Sequence, residues 1–169
     1  MKNTKELISK TFVSLVVAKK TYNITVTDIC NKLDISRPTF YRYFKDRYEI
    51  IEYIYYVNTT KPVHNLVINN ISNKEVIECW FNSFYNLKEY YTIIVREHGQ
   101  NSLFETSITN LTEFYRDALS KAYTDPDKLE YVAFKLASSQ IMMVKKWLFE
   151  GAKVSPKNLA SYFLERFNF

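Results

Sequence analysis

TVTDICNKLDISRPTFYRYFKDR, residues 25–47, holds two helix starts in quick succession. Thr25 stands where an N-cap belongs, and Asp28, three positions on, completes a variant capping box with its carboxylate in the first turn. Val26, Ile29, Cys30 and Leu33 follow at i, i+3, i+4 and i+7, which puts one apolar stripe on a short helix. Asp34-Ile35 then makes a turn, since Asp tolerates a left-handed backbone better than most non-glycine residues. Ser36 caps a further helix running to Phe44, with Pro38 in the first turn, where an amide has no intrahelical acceptor to lose. Phe40 and Phe44 share one face of it and Arg37, Pro38, Thr39, Tyr41 and Arg42 occupy the others. A short bracing helix, a tight turn and a second helix with one greasy and one polar side have the layout of a helix-turn-helix. In that motif the N-terminal side chains of the second helix enter the major groove of DNA.

Outward from this stretch the pattern stays helical. Thr4 to about Lys20 is amphipathic through Ile8, Phe12, Leu15 and Val16, and TYNIT interrupts it before Thr25. A fourth helix runs from Asp46 to Val57 with Ile50, Ile51, Ile54 and Tyr55 turned inward. Pro62 marks a break, and another helix is expected over 63–71. Ser72 with Glu75 opens a helix from Lys74 to about His98, closed by Gly99. Residues 101–122 form the next. Asp125-Pro126 starts a long helix ending at Gly151, and Ser155-Pro156 starts the last. Two glycines and four prolines are too few for the turns of an all-β chain. The expectation is all-α, with a helix-turn-helix domain over 1–57 and a C-terminal helical domain over 58–169.

The net charge of +5 is unevenly spread: residues 1–57 carry ten Lys/Arg against six Asp/Glu, and residues 58–169 thirteen against twelve. A basic module beside a near-neutral remainder suits a chain that faces a polyanion with one end only. No run approaches the roughly 20 apolar residues of a membrane-spanning helix. The N-terminus MKNTKELISK lacks the apolar core of a signal peptide, so a cytoplasmic location is expected. Cys30 and Cys79 lack metal-ligand spacing and read as reduced, small hydrophobes. With two distant histidines, no glycine-rich phosphate loop and no metal-spaced cluster, nothing supports catalysis, a metal or a cofactor.

The side chains of the decisive stretch sort by chemistry. Arg37 and Arg42 can fork onto guanine O6 and N7, while Pro38 and Thr39 are small enough for close approach and apolar contact with thymine methyls. Thr25, Thr27, Ser36, Tyr41, Tyr43, Lys45 and Arg47 are hydroxyl or cationic donors suited to phosphate oxygens. The same residues carry a resemblance. Ile24-Thr25-Val26-Thr27-Asp28-Ile29, Ser36-Arg37-Pro38-Thr39-Phe40-Tyr41-Arg42-Tyr43-Phe44 and Lys45-Asp46-Arg47 resemble the N-terminal signature of the TetR family of regulators. The match spans roughly residues 4–57. Leu33-Asp34 departs from the usual Ala-Gly of the turn, and Arg47 replaces the usual lysine.

The resemblance implies that Arg37, Pro38, Thr39 and Arg42 face bases and that Thr25, Thr27, Tyr41, Tyr43 and Arg47 hold the DNA backbone. It also implies a homodimer formed through the last two helices, about 126–150 and 155–168, with the middle helices enclosing an effector pocket. The usual mode of the family is repression, relieved by a small molecule, although some similar proteins activate. The stripe Leu129, Val132, Ala133, Leu136, Ala137, Ile141, Val144 and Leu148, with Leu159, Phe163 and Phe167 after it, is either the dimer face or internal core. Trp80, Phe84, Tyr85, Tyr91, His98, Phe104 and Tyr115 either line a pocket for a hydrophobic or aromatic effector or are packing residues. A protein-interaction module on the same fold is the alternative to a DNA reader, and the intact Arg37, Thr39, Tyr41 and Arg47 speak against it.

Overall fold

The computed structural model describes residues 4–68, 72–96 and 103–165, all of whose regular elements are helical. Helices α1 (Thr4–Lys19), α2 (Val26–Leu33), α3 (Arg37–Tyr41) and α4 (Arg47–Tyr55) form the N-terminal module. A π-turn at Tyr56–Thr60 leads into α5 (Lys61–Ile68). Then come α6 (Asn73–Asn86), α7 (Lys88–Ile94), α8 (Leu103–Leu119), α9 (Pro126–Phe149) and α10 (Pro156–Leu164). None of the described helices is long and apolar enough to cross a membrane.

The starts are those that the capping residues dictate. Thr25, Ser36, Asp46, Ser72, Asp125 and Ser155 each accept a backbone N–H of the first turn. Each such cap contributes about 1 kcal/mol by satisfying a donor that has no partner within the helix. Two boundaries differ from the sequence expectation. Pro62 breaks nothing, because the wider π-turn immediately before it makes room for the ring and α4 runs on into α5. The helix expected from Lys74 to His98 is instead two, since Leu87 leaves helical geometry at φ −123° and ψ 32°. The bend turns Tyr90, Tyr91 and Ile94 into the interior, where Tyr90 meets Phe12 of α1 edge-on at 6.3 Å. The expected terminator Gly99 and the neighbouring His98 lie outside the described residues, as does Phe167.

One apolar core runs from Ile8 in α1 to Ala160 in α10, so the N-terminal module shares its interior with the rest of the chain. The joints are Phe12 against α7, and Ile50, Ile51 and Ile54 on α4. The broadest helix contact among the described residues is between α8 and α9. Ala133 and Ala137 are fully buried on α9, and their small size allows α8 to approach closely. Within that seam the Tyr115 hydroxyl donates to Gln140 Oε1. Ile141, Val144 and Leu148 are buried on the same helix, so most of the stripe read from the sequence is spent inside the chain.

After α9, Gly151 at φ +83° and Ala152 at φ +52° reverse the backbone. The reversal lets Trp147 Nε1 donate to the Val154 carbonyl at 2.9 Å, and α10 then packs on α6 with Phe163 against Phe81. A Cβ at position 151 meets nothing within 4 Å, so only the left-handed backbone penalises a side chain there. Gly151→Ala is therefore expected to lower stability by about 1–2 kcal/mol, read as a shift of the urea midpoint with the m-value unchanged.

Candidate nucleic-acid interface

The recognition segment is held from beneath and open from above. Phe40 and Phe44 are buried, their rings 6.4 Å apart, and Phe44 meets Tyr53 of α4 edge-on at 5.5 Å. Lys5 of α1 lays its ammonium over both Phe44 and Tyr53, 5.0 and 4.8 Å from the ring centres. Arg37, Pro38, Tyr41, Arg42 and Lys45 stay exposed around this grip, with Tyr41 at 54 %. The helix itself is shorter than the span to Phe44. It closes at Tyr41, and a tighter turn, with Tyr43 N–H donating to the Phe40 carbonyl at 2.9 Å, swings Phe44 back onto the scaffold.

The turn before it survives without glycine. Asp34 sits at φ 54° and ψ 49°, and the Ile35 amide closes onto the Cys30 carbonyl at 3.1 Å. Ser36 then caps α3 by accepting from the Thr39 amide at 3.2 Å, and the two hydroxyls are 2.9 Å apart. Arg37 reaches across to α2, donating from Nη2 to Thr27 Oγ1 at 2.7 Å. The bond fixes the two helices' polar ends relative to each other and parks the guanidinium on the exposed surface. Arg42 lies over the half-buried Tyr43 ring at 5.9 Å.

Besides Thr27 and Ser36, two more of the residues expected to hold phosphates are already engaged. Thr25 accepts from the Asp28 amide at 3.1 Å while its hydroxyl donates to Asp28 Oδ2 at 2.8 Å. Arg47 donates to Asn23 Oδ1 at 2.9 Å and to the Tyr48 hydroxyl at 3.1 Å, with its guanidinium over the rings of Tyr22 and Tyr48. The spacing of the sequence announces Thr25 as a cap. It gives no sign that Asn23, Tyr22 and Tyr48 enclose Arg47, because these contacts join the loop after α1 to the start of α4. Lys5 is likewise visible only in three dimensions.

Asp28 is the electrostatic centre of the module's edge. Lys19 bonds its Oδ1 at 2.6 Å, and the Thr25 amide and hydroxyl bond its Oδ2. The Lys19 bond, then the two donors of Thr25, hold the carboxyl down to a pKa of about 2.

Of the residues read as an effector pocket, Trp80, Phe84 and Tyr91 form one run of touching rings, and Tyr85 and Tyr115 lie apart from it. Trp80 lines a cavity of about 110 Å³ together with Tyr55, Thr59 and Leu111. Phe84 and Tyr91 are buried with ring centres 4.6 Å apart, and Phe104 is also buried. Tyr85 lies at the surface, stacked on Trp147 at 5.9 Å and covered by Lys88. Tyr115 borders a separate, larger groove between α6, α8 and α10. His98 is outside the described residues. Thr59, Asn110 and His64, which border the Trp80 cavity, carry no signal in the sequence pattern.

Comparison with known proteins bears on the whole chain. Residues 72–168 match the family profile of a TetR-type transcriptional regulator C-terminal region. No curated protein matches the sequence. Among solved structures, a TetR-family transcriptional regulator from Syntrophomonas wolfei superposes with a TM-score of 0.75 at 17 % identity, over 95 % of this chain and 90 % of that one. The dihydroxyacetone kinase operon activator DhaS gives 0.70 at 16 % identity, over 97 % and 93 %. The fatty acid degradation regulator FadR from Bacillus halodurans gives 0.64 at 15 % identity, over 96 % and 94 %. At these identities the likeness is one of fold.

Because the folded-state pKa of Asp28 is depressed from 3.8 to about 2, its stabilising effect is complete above the unfolded value and disappears as pH falls through the folded one. Asp28→Asn is expected to melt below the wild type at neutral pH, with the gap narrowing steadily as acid approaches that lower value. A gap that stays constant across the acid series would show that the charge on Asp28 does not hold α2 in place.

Proposed function

The chain belongs to the TetR family of transcriptional regulators, and from that premise we propose that two copies of it bind a palindromic operator as a repressor released by a small-molecule effector. The observation that carries the reading is the division of the recognition segment into two sides. Phe40 and Phe44 have 0 % and 1 % exposure, while Arg37, Pro38, Tyr41 and Arg42 between and beside them face solvent. A short helix so held keeps these side chains at the surface, where only exposed contacts, Arg37 to Thr27 and Arg42 over Tyr43, compete with a new partner. In this reading Arg37, Pro38, Thr39 and Arg42 meet base edges, and Thr25, Thr27, Ser36, Tyr41, Tyr43, Lys45 and Arg47 meet the sugar-phosphate backbone. Thr25, Thr27, Ser36 and Arg47 do so by exchanging or sharing their present partners. The protein acts in the cytoplasm, where its operator is.

Dimerisation has support from a face other than the stripe read in the sequence. Tyr131, Phe134, Met142 and Phe149 project from one side of α9 with Ser138 among them, and Tyr131 is 76 % exposed. Large apolar side chains recurring along one helix face are costly in water and suit burial against a second copy. Tyr162 and Leu164 on α10 extend the exposed apolar surface. A dimer sets two recognition segments on successive major grooves, about 34–36 Å apart. An activator working from the same operator is the second reading, favoured by the likeness in fold to an operon activator.

Selection from random duplex DNA across a salt series tests the reading. The expected product is a palindrome whose affinity falls steeply with salt as counterions are released. Arg42→Ala should relax preference at one base pair by about 1–3 kcal/mol, while Tyr41→Phe weakens all sequences alike. Purified protein that ignores duplex DNA at low ionic strength would refute it.

Tyr131→Glu combined with Met142→Glu is expected to yield a monomer in sedimentation and to abolish the preference for paired half-sites. An unaltered dimer would move the interface elsewhere.

A further inference from the structure

Resting on the reading of this chain as an operator binder, we propose that Tyr22, Asn23 and Tyr48 are positioning residues for Arg47. They hold its guanidinium at one bearing, on the rim of a concavity that takes a single DNA phosphate. Each supplies its own restraint. Asn23 Oδ1 accepts from Nη1 at 2.9 Å, and the Tyr48 hydroxyl accepts from Nη2 at 3.1 Å. The ring centres of Tyr22 and Tyr48 lie 5.4 and 5.0 Å from the guanidinium carbon. The two bonds orient the fork, and the two rings limit where the cation can lie.

The cage is assembled from parts that the fold already orders. Tyr22 and Asn23 belong to the loop between α1 and α2, and Tyr48 is in the first turn of α4. The loop is closed on itself, with the Asn23 amide donating to Thr21 Oγ1 at 3.1 Å and the Ile24 amide to the Tyr22 carbonyl at 2.8 Å. Ile24, 2 % exposed, anchors it in the core. At the other end Asp46 caps α4 by accepting from the Glu49 amide at 3.0 Å, which fixes the turn that carries Arg47 and Tyr48.

The cage gives onto a surface that suits a phosphate. Arg47 borders a concavity of about 310 Å³ together with Tyr41, Lys45 and Tyr48, over an apolar floor that includes Ile24 and Phe40. Tyr41 and Lys45 are exposed, so a phenol and two cations converge on one hollow beside the recognition segment. Asp46, the acidic residue in the wall, is engaged as the α4 cap. Tyr22, Asn23 and Tyr48 are neutral and therefore orient the guanidinium without cancelling its charge. A guanidinium carries five N–H donors in a fixed fork, so it can serve an amide oxygen, a phenol and a phosphate oxygen together. An ammonium is a point charge on a flexible stem and cannot be stacked and forked in this way. The arginine at position 47 and the two tyrosines thus make one unit that a lysine would not complete.

An arginine that rotates freely loses conformational entropy when it meets DNA, whereas one already held loses little. Removing the cage therefore weakens binding although the charge still reaches the phosphate. Removing the charge changes the number of counterions released on binding, which the cage by itself does not.

The test measures affinity of the full chain across a salt series, with the operator obtained by selection as the probe. Arg47→Ala should lower the slope of log affinity against log salt by about one for each copy bound. Tyr48→Leu should weaken binding about threefold to tenfold with the slope unchanged. Tyr48→Phe, which keeps the ring and loses only the hydroxyl, should fall between Tyr48→Leu and the wild type. Asn23→Ala, at an exposed position, should weaken binding about threefold. In an Arg47→Ala background neither Tyr48→Leu nor Asn23→Ala should weaken it further, since each acts through the guanidinium.

Losses as large without Arg47 as with it overturn the proposal, because that is the result of a merely structural role. An unchanged slope for Arg47→Ala overturns the phosphate contact. Asn23→Ala and its double variant decide the matter if Tyr48→Leu does not fold. A wild type that ignores duplex DNA refutes the function proposed above and this role with it, whereas normal operator binding with additive losses refutes the cage alone.

Discussion

Two phenylalanine rings pressed into the scaffold are what the rest of this molecule depends on. Phe40 and Phe44 each bury essentially their whole side chain, their rings beside each other and Phe44 against Tyr53 of α4 and under the Lys5 ammonium of α1. Full burial of such a side chain contributes about 1.5–3 kcal/mol, more than a helix of five residues could supply by itself. Helix α3 therefore exists because its inner face is held, not because its backbone is intrinsically stable. The same grip leaves the outer side chains at the surface, and it sets their direction relative to α4.

That dependence explains why the polar side of the segment is preorganised by short links rather than by burial. Arg37 is tied to Thr27, and Ser36 to Thr39, each between exposed groups. Exposed hydrogen bonds of this kind add little stability, because water competes for both partners. Their effect is to narrow the directions in which long side chains point, which lowers the entropy lost when a partner is engaged. Arg47 extends the pattern, since its bond to Asn23 joins α4 to the loop that follows α1.

The continuous core has a second consequence. With Phe12 against Tyr90 and the isoleucines of α4 in the same apolar cluster, a change in the middle of the chain is felt in the N-terminal module without crossing a flexible linker. The π-turn is where the regular α-helical winding of that run is interrupted. Nearby, the interior also holds the buried polar groups of Tyr55, Trp80, Tyr91 and Ser107, close to one another.

The sequence alone determined the helical class, the capped starts at Thr25, Ser36, Ser72, Asp125 and Ser155, and the two-sided recognition segment. All of these are local: a cap, a turn or an amphipathic stripe is written within a few neighbouring residues. It also placed the family resemblance in residues 24–47, because a helix-turn-helix is a compact local motif. Only the tertiary structure decided that Leu87 breaks a helix and that Pro62 does not, since neither follows from the propensities of its neighbours. It also decided which apolar side of α9 remains exposed. Ala133, Ala137 and Ile141 are spent on α8, whereas Tyr131, Phe134 and Met142 face outward, and periodicity cannot separate two apolar faces of one helix. The cavity at Trp80 and the cage around Arg47 depend on residues far apart in the chain, brought together by packing that no local pattern records.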